Sequence, residues 1–126
     1  MSSGRKNILR QFKMIDNGDM SQSSLTSAPT NIQFLDNVAI QFNFTGAPSG
    51  TFSIEVSADY EQDIGGATIN VGNWVPVTLP TPPVASGSAG SVFIDLNQLA
   101  APWVRVKYTK TSGTGSLTAW ISAKML

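Results

Sequence analysis

The chain has no cysteine and no histidine. The first absence excludes disulfides and thiolate metal sites. The second removes the commonest general base and metal ligand, and with them any Ser-His-Asp or Cys-His nucleophile. Charged residues make up only 13% of the sequence, about half the share of an average globular protein. A water-facing surface must then be built from Ser, Thr, Asn, Gln and Gly. No apolar run reaches the ~18 residues of a transmembrane helix, so no membrane partner is expected. The opening MSSGRKNILRQFKM lacks the apolar centre of a secretory signal, which predicts that the general secretion route is not used. The sequence calls for no cofactor.

Cations are missing from the whole middle of the chain. Arg5, Lys6, Arg10 and Lys13 stand near one end, Arg105, Lys107, Lys110 and Lys124 near the other, and all eight acids lie between them. The formal net charge is zero, so nucleic acid is a poor partner: phosphate binding depends on an excess of cations. Basic ends of this kind suit contact with another chain, or with the acidic middle of their own.

What is present is period-two alternation. Val38, Ile40, Phe42 and Phe44 alternate with Ala39, Gln41 and Asn43, and Phe52, Ile54 and Val56 resume the pattern after TGAPSG. Such alternation marks half-buried strands, and the short glycine-bearing connection predicts that 38–44 and 51–58 pair as a hairpin. Val75, Val77 and Leu79 predict a further strand, as do Val92 with Ile94. Val104, Val106 and Tyr108, then Leu117, Ala119, Ile121 and Ala123, predict two last strands joined by TSGTG. No long helix is indicated. The sum is an all-β protein, an antiparallel sandwich or jelly roll of about seven strands over residues 31–126. Residues 1–30, broken by Gly18 and SQSSLTSAPT, predict an extended N-terminal arm that could be deleted without unfolding the rest.

Parity singles out a candidate surface. If Val104, Val106 and Tyr108 face inward, Trp103, Arg105 and Lys107 face outward; the same reasoning turns Trp120 and Lys124 outward. Should the two strands pair, these five share one face. Exposed indoles call for a cover, and Trp and Arg are common interface anchors. Arg5, Lys6, Arg10, Phe12 and Lys13 of the arm join the candidate interface. The indoles predict self-association or attachment to a partner, and a glycan is the other ligand class that suits them. Trp74 falls on the opposite parity from Val75, Val77 and Leu79, at a sandwich end or in a surface cluster.

Other constellations are weaker. Asp59, Glu61 and Asp63 occupy positions 1, 3 and 5 of a calcium loop, but Ile64 stands where the glycine belongs and Asn70 where the bidentate Glu belongs. Glu55 or Glu61 with Asp59 or Asp95 could serve as a hydrolytic carboxylate pair only if folding placed them across a cleft. Asn43-Phe44-Thr45 matches a glycosylation sequon but lies in a strand. No catalytic or metal residue is assigned, and a non-enzymatic protein is expected.

The runs IDLNQLAAPWVRVKYTKTSGTGSLTAWISAK and NIQFLDNVAIQFNFTGAPSGTFSIEVSADY resemble small β-sandwich structural proteins of tailed bacteriophages, over about residues 30–124. APWVRVKYT and SGTGSL carry most of the likeness. The resemblance implies a virion component assembled in the bacterial cytoplasm: a capsid decoration or cement protein, or a tail or head–tail adaptor subunit, with other virion proteins as partners. It supplies no list of functional residues.

Overall fold

The computed structural model describes residues 8–97 and 99–124. These form twelve strands and no helix: β1 (Ile8–Asp19), β2 (Ser24–Thr26), β3 (Thr30–Asn31), β4 (Asn37–Gly46), β5 (Ser49–Ser57), β6 (Glu61–Gln62), β7 (Thr68–Asn70), β8 (Val75–Pro76), β9 (Val84–Ser86), β10 (Gly90–Asn97), β11 (Trp103–Ser112) and β12 (Gly115–Lys124). One sheet runs β1-β12-β4-β10. The other main sheet runs β2-β11-β5-β8, with β3 also on β11 and β9 also on β5, and β6 and β7 form a separate two-stranded ribbon. All pairings are antiparallel. If β2 with β3 and β8 with β9 are counted as interrupted single strands, eight strands divide evenly between the sheets and the chain repeatedly crosses from one to the other. That is a jelly roll, as the alternation predicts.

The core lies between the sheets. Val38, Ile40 and Phe42 of β4, Ile54 of β5, Val104, Val106 and Tyr108 of β11, and Leu117 and Ala119 of β12 are fully buried. Phe42 and Phe44 meet Phe52 at ring-centroid distances of 4.5 and 5.3 Å, and Phe52 meets Tyr108 at 5.1 Å. Four aromatic rings thus bridge the layers.

Those ring contacts correct the expected hairpins. β4 and β5 belong to different sheets, and so do β11 and β12. Alternation reports which side chains face the core, and it is satisfied equally by strands side by side and by strands facing each other across it. The connections decide. Both are corners that carry the chain between layers, and they lie on one another: Ala47 N donates to Thr114 O at 2.9 Å, and Gly46 pairs with Gly115. Gly113 has a φ of 81°, and a Cβ there would run into the carbonyl oxygen of Ala47. Only glycine fits such an approach.

The expected arm is also corrected from residue 8 onward; Arg5 and Lys6 lie outside the described residues. β1 pairs with β12, and β2 and β3 pair with β11. Met20 and Ile32 are fully buried, and Met20 N donates to Gly115 O at 2.9 Å. Ser27 and Val106 exchange two bonds: Ser27 N donates to Val106 O, and Val106 N donates to Ser27 Oγ, each 2.9 Å. β1 escapes a period-two reading because its register with β12 shifts three times, each bulge resetting which side chains face inward. The predicted strand at Val75, Val77 and Leu79 shrinks to Val75–Pro76, though Val77 N still donates to Ile54 O at 2.7 Å.

Candidate functional site

The five residues expected on one face are divided between two. β11 presents Trp103, Arg105 and Lys107 on the outside of its sheet, opposite Ser57, Glu55 and Ser53 of β5. β12 presents Trp120 and Lys124 on the outside of the other sheet, opposite Gln41 and Asn37 of β4. The indoles of Trp103 and Trp120 therefore form no joint platform.

On the β11 face much of the surface is covered by the chain itself. Arg105 Nε donates to Glu55 Oε1 at 2.7 Å, with side chains 27% and 14% exposed. The segment between β7 and β8 brings Trp74 over the guanidinium, 4.3 Å from Arg105 Cζ to the ring centroid, and Trp74 Nε1 donates to Val71 O at 3.1 Å. Tyr60 is buried between Trp74 at 5.6 Å and Trp103 at 4.8 Å, the latter edge-on. Its hydroxyl accepts a bond from Gln62 Nε2 at 3.0 Å and lies 3.1 Å from Thr68 Oγ1. Trp74 thus joins a surface cluster, one of the two places its parity allows.

Two acids of the longer stretch between β5 and β8 hold the loop together. Asp59 accepts bonds from Asn73 N, Asn73 Nδ2 and Ser57 Oγ, each 2.8 Å. The Asn73 backbone bond is the largest of the effects that hold its carboxyl below the ordinary carboxylate range. Asp63 Oδ1 accepts from Gly65 N and Ala67 N at 2.9 Å, closing the β6–β7 turn. Among the described residues no group of three or more acids is placed to hold a metal. The carboxylate pair of Glu55 with Asp95 is divided as well, since β5 and β10 lie in different sheets and both side chains point outward.

What this clamped loop displays was missed at the level of sequence. Ile64, Ile69, Val71 and Val75 are all exposed. The available signal was the aliphatic run DIGGATINVGNWV, in which Ala67, Ile69 and Val71 alternate with Thr68 and Asn70 yet all stay exposed.

The β12 face is different. Lys13, Trp120, Gln41 and Phe93 stand in one row across all four strands. Trp120 and Phe93 help line a groove of about 310 Å³ with Gln11, Gln41, Asn43 and Ser122. Gln41 Nε2 and Ser91 Oγ both donate to Asn43 Oδ1, at 2.9 and 2.8 Å. Lys13 Nζ lies 5.4 Å from the Trp120 ring centroid and 3.4 Å from Asp16 Oδ1. A second depression of about 540 Å³ continues past Arg10, Asp95 and Lys124. Phe12 is exposed near the opposite side of β1, in a groove it shares with Trp103 and Gln62.

No family model matches the chain, and no curated protein matches it. Among solved structures, a chain described as "Structure of infectious bursal disease virus Gx strain" is similar at a TM-score of 0.47 and 11% identity. The match covers 98% of this chain and 32% of that one, so the present chain spans about a third of its length.

Proposed function

We propose that the protein is a non-enzymatic structural subunit of a virus particle, of the kind that decorates or cements the shell of a tailed bacteriophage. The observation that carries this reading is the clamped loop with Ile64, Ile69, Val71 and Val75 in water. Burying one such side chain is worth ~1.5–3 kcal/mol. Asp59 and Asp63 already order the loop, so little entropy is lost when a partner covers it. The low-charge surface and the sequence resemblance to phage sandwich proteins point the same way. Attachment then runs through this loop and the neighbouring Trp103, with other virion proteins as the partners. A tail or head–tail adaptor subunit is the alternative place in the particle.

The test is to quantify the protein in purified particles and to mix Ile64→Asp and Val71→Asp variants with undecorated shells. The reading predicts normal melting and lost attachment. It fails if the protein is confined to the infected-cell lysate, or if both variants attach as tightly as the parent. A copy number that scales with the shell subunits marks decoration; a few copies at one vertex mark a tail or adaptor.

One observation favours a second reading, a saccharide-binding module on the β12 face. Trp120 and Phe93 flank Gln41 two strand spacings apart, roughly 10 Å, and amides and hydroxyls line the groove between them. Aromatic rings stack on sugar faces while amides bond to hydroxyls. Trp fluorescence that stays unchanged in the parent protein on titration with host polysaccharide rules this reading out.

A further inference from the structure

Open sheet edges invite added strands, and folded proteins guard them. Among the described residues, three of the four edges of the two main sheets are guarded. β1 has three register shifts and carries Arg10 and Lys13. On the other sheet, β2, β3, β8 and β9 are only two or three residues long. β10 is the exception. It pairs with β4 through eight successive residues without a shift, and its sequence GSVFIDLN contains no Lys, Arg or Pro. Its far side makes no backbone hydrogen bond among the described residues. Val92 and Ile94 point toward the core yet remain half-buried, and Phe93 on the outer face is 64% exposed.

We propose that β10 is a dimerisation edge, on which β10 of a second copy of this chain adds antiparallel to join two four-stranded sheets into one of eight. The argument for a second copy is self-complementarity. A strand pairing with its own copy keeps apolar side chains on one face only if the paired residue numbers sum to an even value, because side chains alternate with a period of two. The register centred on Phe93 meets that condition. It sets Phe93 against the partner subunit's Phe93, Val92 against the partner subunit's Ile94, and Ser91 against the partner subunit's Asp95. Aromatic meets aromatic, aliphatic meets aliphatic, and the acid meets a hydroxyl. Centring on Ile94 would set Phe93 against a carboxylate, and centring on Asp95 would oppose two carboxylates. The half-buried Val92 and Ile94 then gain a continuous inner face across the two-fold axis. This inference is independent of the role in a particle and stands whichever neighbour the Ile64 loop meets.

The experiment is sedimentation of the full chain over a wide concentration range, with two single variants whose folding is checked by thermal melting. The parent is expected to show a concentration-dependent monomer–dimer equilibrium. Phe93→Glu opposes two carboxylates at the axis and is expected to weaken the dimer roughly tenfold or more. Ser91→Lys sets an ammonium against the partner subunit's Asp95 twice per dimer and is expected to tighten it about fivefold, a gain that disappears at high salt. A parent that stays monomeric at all concentrations overturns the proposal. So does a dimer indifferent to both variants, which places the contact elsewhere, or a Phe93→Glu effect seen only in saccharide binding. A dimer weakened by Phe93→Glu but not tightened by Ser91→Lys overturns the register.

Discussion

Trp103 and Trp120 stand on opposite outer faces of the jelly roll, the first edge-on to Tyr60 at 4.8 Å and the second beneath Lys13 Nζ at 5.4 Å. One indole is packed into the protein's own surface loop. The other lines an open groove. Each face can therefore be altered without disturbing the other, which makes the consequences separable.

Arg105, held by Glu55 of the neighbouring strand, ties the Ile64 loop to the sheet through Trp74. Arg105→Ala removes a partly buried ion pair and a cation–π contact, and leaves Glu55 without its cation. The expected cost is about 1–2 kcal/mol, seen as a Tm lower by roughly 3–8 °C and a shifted Trp emission. An unchanged Tm and spectrum would show that the loop is held without it.

Residues 8–31 are expected to be indispensable. Removing residues 1–29 strips β1 from one sheet and β2 from the other, and exposes the site of the fully buried Met20. The truncated protein is expected to show no cooperative melting, while Met20→Ala in the full chain should cost about 2–5 kcal/mol. A sharp transition in the truncated form would return these residues to the status of a dispensable arm.

Tyr108 is fully buried, and among the described residues its hydroxyl has no hydrogen-bond partner. Burial alone pushes the phenol pKa above its ordinary value. An unmatched buried polar group costs about 1–3 kcal/mol, so Tyr108→Phe is expected to raise stability by ~1 kcal/mol and increase the denaturant midpoint. A lowered midpoint means that the hydroxyl has a partner.

Asp59 gives the loop a pH dependence of known sign. Its carboxyl pKa is lowered in the folded protein, with the Asn73 backbone bond the largest cause and the Asn73 and Ser57 side-chain bonds next. The group therefore binds protons more weakly folded than unfolded, and its contribution is present above the ordinary carboxylate range. It is lost as pH falls through the lowered value. Acid should loosen the stretch from Ser57 to Asn73 and change emission from Trp74. Asp59→Asn should abolish that acid step; a step of the same size in the variant assigns it to another group.

The parts of this fold legible in the sequence were those where burial imposes a strict period. Val38 to Phe44, Val104 to Tyr108 and Leu117 to Ala123 alternate because each faces a single core, and the structure places them there. Pairing was not legible, because TGAPSG and TSGTG suit a hairpin and a layer-crossing corner alike. β1 was hidden by its bulges, and β2 and β3 by being too short to show a period. The site was half legible. Outward parity at Trp103, Arg105 and Trp120 was correct, but their grouping depended on a pairing that does not form. The Ile64 loop was concealed because alternation alone, as at Ala67, Ile69 and Val71, does not tell a buried strand face from an exposed one.

The strand order carries a consequence for synthesis. Among the described residues, β1 finds its only ladder partner in β12, and β2 and β3 find theirs in β11. On a ribosome the first strands therefore wait, unpaired, until the last have emerged. Early contacts among β4, β5, β8 and β9 leave much of the apolar core uncovered meanwhile. Closure only once β11 and β12 are made, with ladders that join strands far apart in sequence, favours slow folding, and the unpaired nascent strands are meanwhile exposed to chaperones and to other chains.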